Sequence, residues 1–322
     1  MANNSLDITT AYIGEGAAGY IAPAILSADT LANNYVKIHS GVKKALYLSK
    51  VDSGAIQAAT CDFTSVDDDI TMTEAILTPT ELMRNIQLCK KDFRGTWEAL
   101  QTGAGFINDR VPPTFQAFLL NHLAEKVQAG IEKAIWRGEY NETDGSTTGG
   151  TAVSTFNGLL AKVVAGTPGY ENLVAGAFTA DNNATTGILT HLEDLVSNLP
   201  DAIDGDPDTK IYMSRKSLAL YQLAMSDVSL GGAVSTRAEG DRPASYLGYE
   251  IIVPAGFPND TICAWQTENL HFGTDLTSDY NKAVVVDMTK TDASDNVRVA
   301  MRFVGGTQIG FLGDVAVARR SS

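Results

Sequence analysis

Apolar positions follow a helical period through residues 114–140. They recur at three- and four-residue steps, at Phe115, Phe118, Leu119, Leu123, Val127, Ile131, Ala134 and Ile135. That spacing gathers them on one stripe of an α-helix. Pro112 and Pro113 stand where a helix tolerates missing N–H groups, and residues 141–150 are poor in helix formers. We therefore predict one helix of about 40 Å, which needs a packing partner along its length.

Before this helix the pattern changes to short runs typical of β-strands. Turn-forming residues separate these runs, which cover residues 42–51, 55–63, 70–77 and 82–89. Residues 64–101 carry few large apolar side chains, and an isolated two-stranded ribbon is only marginally stable in water. The segment is therefore either an internal sheet layer or a ribbon that another chain stabilises. The scarcity of large apolar side chains favours a projecting ribbon.

After the helix, helical and strand patterns alternate, as in α+β or α/β packing. Thr186 is placed to cap one helix, and Ser214 is placed to cap the next. The second helix offers apolar side chains for burial at Leu218, Tyr221 and Leu223. Short strands are predicted at residues 210–213, 249–253 and 261–265.

The C-terminal section has a strong β pattern. One strand is predicted at residues 283–288, and a second at 297–304, where apolar and polar residues alternate. Gly305 and Gly306 predict a tight hairpin turn, after which residues 308–317 return. The apolar face of this hairpin could cover the long helix. The chain would then leave its first domain, form a second one and return to complete the first.

Composition sets limits on the class of protein. The chain has 322 residues, of which 44% are apolar and 19% charged, so it is globular and long enough for about two domains. A formal charge of −14 argues against a nucleic-acid-binding role that depends on a basic face. Acidity is still compatible with a protein that encloses nucleic acid without gripping it, because a weakly repelling inner wall keeps the polymer mobile.

The sequence shows no signal for secretion or for a membrane. The first residues lack a basic and an apolar region, and no apolar run approaches the roughly 20 residues that span a bilayer. The three cysteines, Cys61, Cys89 and Cys263, have no metal-site spacing. They fit a reducing cytoplasm, in which they would be small buried apolar residues.

Candidate chemistry is sparse. The histidines are scattered, at His39, His122, His191 and His271, and the glycine-rich residues 145–150 lack the lysine of a phosphate-binding loop. Asp204, Asp206 and Asp208 resemble the start of a calcium loop. The required glycine is replaced there by Thr209, and the bidentate glutamate by Arg215. We therefore predict a protein that is not an enzyme and has no catalytic, cofactor-binding or metal site.

Several local stretches are similar to a known family. Residues 213–215 (MSR) open a helix after a strand, and residues 156–160 (FNGLL) follow the long helix. Further stretches of this kind are LGYEIIV at 247–253, PNDTI at 258–262, NLHFGTDL at 269–276, and the closing residues 297–317. In this order the whole chain resembles the major capsid protein of tailed bacteriophages, whose fold is named after the Hong Kong lambdoid phage.

The resemblance implies an α+β capsid fold in four parts. Residues 1–34 would be an N-terminal arm lying along an adjacent subunit, and residues 35–105 an extended β-ribbon loop overlapping a neighbour. Residues 106–177 and 283–322 would form a peripheral domain, with residues 114–140 as its spine helix. Residues 178–282 would form an axial α/β domain that clusters about five-fold and six-fold axes.

The resemblance also implies the function. Such a protein self-assembles through hexamers and pentamers into an icosahedral head that encloses double-stranded DNA, and it is found in the virion after assembly in the host bacterial cytoplasm. Portal, scaffolding and decoration proteins are its implied partners. The start lacks the long charged helical segment that some relatives cleave off, which favours a separate scaffolding protein. The lysine–asparagine cross-link of some relatives has no match, although Lys50 lies in the loop.

Three alternatives stay open at this point. An encapsulin-type compartment that holds cargo enzymes would have the same fold. A cytoplasmic hydrolase with an acidic active site would need carboxylates that converge in a pocket. A surface or tail protein with β-ribbon arms would share the ribbon but not the closed shell.

Overall fold

Five helices lie in the part of the chain that the computed structural model describes, which comprises residues 9–13, 28–52, 71–89, 113–141, 155–181, 185–228, 244–275, 282–288, 293–294 and 296–321. They are α1 (Asp29–Ala32), α2 (Pro113–Arg137), α3 (Leu159–Ala165), α4 (Ile188–Ser197) and α5 (Arg215–Val228). The long helix predicted from the apolar stripe is therefore confirmed as α2.

The strands of the described residues form three sheets. In chain order they are β1 (Thr9–Ile13), β2 (Lys37–Ser40), β3 (Leu46–Asp52), β4 (Thr71–Leu77), β5 (Thr80–Cys89), β6 (Tyr170–Val174), β7 (Thr209–Met213), β8 (Ser245–Tyr246), β9 (Tyr249–Ile252), β10 (Thr261–Gln266), β11 (Leu270–Thr274), β12 (Lys282–Asp287), β13 (Asn296–Ile309) and β14 (Ala316–Arg320). The first sheet has the order β1-β12-β13-β11-β2, with β5 also paired to β13. The second has the order β6-β14-β10-β7-β9-β8, and β3 and β4 form the third.

Helix α2 packs against β13 of the first sheet. Its stripe of Leu123, Val127, Ile131 and Ile135 is buried in one core cluster. The inward side of β13 joins the same cluster with Val297, Val299, Met301 and Phe303. The prediction that a hairpin of residues 297–317 covers the long helix is therefore correct for its first strand, β13.

A second core cluster lies under helices α4 and α5. It contains Ile188, Leu192 and Leu195 of α4, and Tyr221 of α5. Strand β10 is buried between the two clusters, because Cys263 and Trp265 belong to the first, and Ile262 and Ala264 to the second. Alternate side chains of a strand point to opposite faces, so one central strand contributes to both cores.

The long helix ends earlier than the predicted residue 140. Its last residue is Arg137, and Glu139 has a left-handed backbone with φ of 57°. The N–H of Gly158 donates to the carbonyl of Gly138 at 2.8 Å. A Cβ on Gly138 would lie 2.0 Å from the Phe156 carbonyl oxygen. This close approach of two backbones, rather than the residues beyond 141, ends the helix.

The predicted hairpin at Gly305 and Gly306 is wrong. Strand β13 continues through both glycines to Ile309, with Gly306 opposite Gly273 of β11. A Cβ on Gly306 would lie 2.9 Å from the Cα of Pro79. The glycines thus allow close packing of backbones and make no turn. The returning strand β14 lies in the second sheet, between β6 and β10.

Three smaller expectations have different outcomes. The strand at residues 82–89 exists as part of β5, but it pairs with β13 in the first sheet and does not extend the ribbon. Gly187, and not Thr186, precedes α4 as its N-cap residue. The Ser214 cap is confirmed, because the Ser217 N–H donates to the Ser214 Oγ at 3.1 Å.

The predicted burial on α5 is only partly correct. Tyr221 is buried, whereas Leu223 is 54% exposed. The predicted strand at residues 55–63 lies outside the described residues.

Candidate functional site

Strands β3 and β4 form a two-stranded antiparallel ribbon, which we call the ribbon below. Within the described residues, neither strand joins a larger sheet. The register pairs Tyr47 with Ile76 and Val51 with Met72. Residues that are directly opposite in a pair share one face. Two apolar pairs therefore lie on the same face of the ribbon, which we call the outer face.

The outer face exposes its apolar side chains. Tyr47 is 65% exposed, Val51 58%, Met72 63% and Ile76 48%. Ser49 and Glu74 pair between them and are also exposed. Two exposed apolar pairs on one face, with one polar pair between them, mark this face as a candidate interaction surface.

The opposite, inner face of the ribbon contacts the body of the protein. Leu46, Leu48 and Lys50 lie on this face and are partly buried. The Lys50 ammonium lies 2.8 Å from the Asp314 carboxylate and 5.1 Å from the ring centroid of Phe311. The ribbon therefore has one face that is already packed and one face without a partner in the described chain.

The base of the ribbon is anchored in the first sheet. Leu77, the last residue of β4, is fully buried. A Cβ on Gly273 would lie 2.8 Å from a methyl group of Leu77, so the glycine leaves the space that Leu77 fills. Beside this anchor lies a cleft of about 600 Å³, between Ile76, Thr78, Phe156 and helix α3. Lys162 of α3 lines the cleft, and burial lowers the pKa of its ammonium.

The structure brings two of the four histidines together. The Nε2 of His39 lies 3.0 Å from the Nδ1 of His271, across the parallel strands β2 and β11. Burial, His39 and Lys37 lower the pKa of His271 to about 4. The two histidines are 232 positions apart, so no local spacing in the sequence connects them and they had looked scattered.

The other two histidines stay separate. The Nδ1 of His122 lies 4.0 Å from the exposed Glu125 on the same helix. His191 is buried, with its Nε2 3.1 Å from the carbonyl of Thr185. Among the described residues, no group of three or more His, Cys, Asp and Glu side chains could hold a metal ion.

The acidic turn at residues 204–208 is held by hydrogen bonds within the protein. The Tyr249 hydroxyl donates to Asp204 at 2.9 Å, and the Gln266 amide donates to Asp206 at 2.9 Å. The backbone N–H of Asp208 donates to the other Asp206 oxygen at 2.8 Å. Residues 67–69 and 145–150 lie outside the described part of the chain.

Two cysteines lie in the described residues, and both are free thiols. Cys89 is partly buried. Cys263 is fully buried in the first core, and burial raises the pKa of its thiol. Cys61 lies outside the described residues. None of the described helices is long and apolar enough to cross a membrane.

No protein-family model and no curated protein matches the chain. The mixed α+β fold is nevertheless that of phage capsid proteins, as solved structures show. A chain of the satellite phage P4 procapsid, solved with the size determination (Sid) protein, aligns over 94% of this chain and 90% of its own length, at 13% identity and a TM-score of 0.61.

Two further structures have the same fold. A capsid chain of the empty GTA particle aligns over 92% of this chain and 90% of its own, at 14% identity and a TM-score of 0.55. A chain of Gordonia phage Cozz aligns over 91% and 87%, at 12% identity and a TM-score of 0.51. The capsid fold implied by the sequence resemblance is therefore confirmed.

Proposed function

We propose that this chain is the major capsid protein of a tailed phage, which self-assembles through hexamers and pentamers into an icosahedral head enclosing double-stranded DNA. The fold supports this proposal, because its solved neighbours are capsid chains. The role is structural and needs no catalytic site. No specific observation favours an enzyme compartment or a hydrolase.

The observation that carries the proposal is the outer face of the ribbon. Burying one large apolar side chain completely contributes about 1.5–3 kcal/mol. The four side chains are roughly half to two-thirds exposed, so covering all four contributes about 5 kcal/mol before ordering costs. The same contact recurs at every subunit of a closed shell, and many modest contacts together favour the shell over the monomer.

The proposed parts of the chain follow the capsid architecture. Residues 1–34 are the arm, 35–105 the extended loop, and 178–282 the axial domain. Residues 106–177 and 283–322 form the peripheral domain, with helix α2 as its spine. Within 35–105, β2 and β5 belong to the first sheet. Among the described residues of this loop, the projecting part is therefore the ribbon.

The acidity of the chain fits enclosure of DNA without sequence-specific binding. With a formal charge of −14, the average wall repels a polyanion weakly. Portal, scaffolding and decoration proteins are the further partners in this proposal. The site of action is the virion, after assembly in the host cytoplasm.

Electron microscopy of the purified full-length chain tests the proposal. We expect closed shells from the unchanged protein. We expect a soluble chain without shells from a deletion of residues 52–74, and a marked loss of shells from the double variant Val51→Ser and Met72→Ser. The variant Ser49→Thr lies on the same face, keeps its apolar pairs and should assemble normally.

Two outcomes would contradict the proposed role. Intact particles from the deletion would show that the ribbon does not link subunits. A chain that remained a single compact molecule at high concentration would exclude a shell protein altogether. Shells that hold an enzyme in place of DNA in their native host would identify a compartment of the same fold.

A further inference from the structure

The His39–His271 pair is joined by a hydrogen bond that depends on its protonation state. The two ring nitrogens are 3.0 Å apart, and the ring centroids are 5.1 Å apart. A bond between two imidazole nitrogens needs one ring to donate and the other to accept, so at least one ring must be neutral. If both rings were protonated, two N–H groups on two cations would face each other.

The pair lies where the chain enters the ribbon. His39 is on β2, the last strand before β3, and only residues 41–45 separate the two strands. Gly41, with φ of 79°, turns the chain there, and the N–H of Val42 donates to the carbonyl of Thr274 at 3.3 Å. Strand β2 is an edge strand, bonded to β11 alone in the described part of the first sheet.

His271 also faces the ribbon. It lines a cavity of about 370 Å³. Leu48 of the ribbon's inner face lines the same cavity, as do its neighbours Tyr47 and Ser49. A positive charge on His271 would therefore develop beside β3, where the ribbon adjoins the first sheet.

From this geometry we infer that the His39–His271 pair is an acid-sensitive latch, which holds β2 and the adjoining part of β3 on the first sheet while one ring is neutral and releases them when both rings are protonated. Starting from two neutral rings, release takes up two protons. The first charges one ring, which can still donate the hydrogen bond to the neutral ring. The second goes to the accepting nitrogen, so the hydrogen bond is lost and repulsion between two cations replaces it.

The Glu268 carboxylate attracts a charge on His271, but burial, His39 and Lys37 outweigh it and lower the pKa of His271. Lys37 lies on β2 itself and is ion-paired with Glu268, which follows β10. Asp314, which also lines the cavity, is ion-paired with Lys50 of the ribbon at 2.8 Å. Tyr47 is the remaining titratable group on the cavity wall. Each nearby carboxylate thus already has a cation.

The pH range follows from the direction of the shifts. Burial lowers the pKa of His39, and burial, His39 and Lys37 lower the pKa of His271 to about 4. A released histidine titrates near its ordinary value of about 6.5. The closed state is therefore fully favoured above about pH 6.5 and loses stability as the pH falls toward 4. This inference concerns the fold of one chain and does not depend on shell formation.

Amide hydrogen exchange of the full-length chain tests the latch. After correction for intrinsic exchange, the equilibrium constant for opening should rise roughly 30-fold between about pH 7.5 and about pH 5. This figure counts only the proton that His271 gains on opening. The rise should cover residues 37–48 and spare the buried strand β7. Carboxylates remain mostly ionised in this range, so their titration contributes little.

Two variants and a control make the test decisive. His39→Gln keeps a side chain that can hydrogen-bond but does not titrate beside His271, so the pH-dependent rise should fall severalfold. His271→Gln removes the histidine with the larger pKa shift, so it should abolish most of the pH-dependent rise in exchange. The control His122→Gln removes the exposed histidine of α2 and should behave like the unchanged protein.

The inference would be overturned if exchange in residues 37–48 showed no pH dependence beyond the intrinsic rate. It would equally be overturned if the dependence persisted in both His39→Gln and His271→Gln. Should one of these variants fail to fold, the pKa of His271 in the unchanged chain, measured by NMR, decides the question, because an ordinary value near 6.5 contradicts the latch.

Discussion

Glu132 of helix α2 ties the end of the N-terminal segment to the body of the protein. Its carboxylate is 5% exposed and accepts three hydrogen bonds. The donors are the Thr30 N–H at 2.9 Å, the Thr30 hydroxyl at 2.6 Å and the Gly256 N–H at 3.2 Å. The Trp136 indole N–H donates in turn to the Thr30 hydroxyl at 2.7 Å. One side chain thus holds α1, α2 and the loop before β10 together.

Replacing Glu132 by Ala removes all three acceptors and leaves two backbone N–H groups buried without a partner. A hydrogen bond to a charged group contributes about 1.5–3 kcal/mol, and these three are not additive because they share one carboxylate. We therefore expect Glu132→Ala to lower the free energy of unfolding by about 4 kcal/mol.

Glu132→Gln should cost less, about 2 kcal/mol. The amide oxygen can replace Oε1, which accepts from the Thr30 hydroxyl and from the Gly256 N–H. The amide NH₂ group then faces the Thr30 N–H in place of Oε2, so one bond is lost and two donors meet.

Urea denaturation followed by tryptophan fluorescence measures these differences, since Trp136 adjoins the site. All variants should be compared in the same assembly state, checked by light scattering. Glu125→Ala is the matched control, because it removes an exposed glutamate from the same helix and should change stability by less than about 0.5 kcal/mol. If Glu132→Ala lowered the free energy of unfolding by less than about 1 kcal/mol, this account of the Glu132 hydrogen bonds would be refuted.

Two further predictions concern glycines and an ion pair. Gly138→Ala would place its Cβ 2.0 Å from the Phe156 carbonyl oxygen and should lower the free energy of unfolding by more than about 3 kcal/mol. Gly130→Ala has open space around its Cβ and should stabilise α2 by up to about 1 kcal/mol. Equal melting temperatures for the two variants would contradict this. Lys50→Met removes the ion pair with Asp314 at a cost of about 1 kcal/mol, because both groups are partly exposed. It should speed amide exchange in β3 at low salt, and unchanged exchange would show that the pair does not hold the ribbon.

Local periodicity made much of the fold predictable. The stripe that includes Leu123 and Ile131 identified α2, and the serine cap at Ser214 was correct because a cap depends on neighbours within three residues. Position on a helix does not decide which neighbours a side chain will have. Leu223 was therefore expected to be buried, although the folded chain leaves it exposed.

Distant contacts were not predictable in this way. A Gly-Gly pair favours both a hairpin turn and a close approach of backbones. The atoms that decide between them at Gly306 belong to Thr78 and Pro79, more than 200 residues earlier. The His39–His271 pair has the same origin, since it exists only because β2 and β11 are neighbours.

The candidate site was predicted in part. A shortage of large apolar side chains indicated a ribbon in need of a partner, and β3 and β4 form that ribbon. The sequence did not show that Tyr47 and Ile76 share a face, because this depends on the register of two strands that residues 53–70 separate in the sequence. Only the register shows that both apolar pairs lie on one face, with the polar pair Ser49 and Glu74 between them.

Contacts of three different chemistries hold the described part of the ribbon and the adjoining strand β2 on the body, and each responds to a different condition. Burial of Leu77 over Gly273 is apolar and does not depend on pH. The Lys50–Asp314 pair weakens with salt, because it is partly exposed. The His39 contact weakens with acid. Acid should therefore loosen the ribbon from the β2 side while Leu77 keeps the base of β4 in place, and salt alone should act on the middle of β3. Exchange that rose equally at both ends of the ribbon in acid would show that its three attachments act as one.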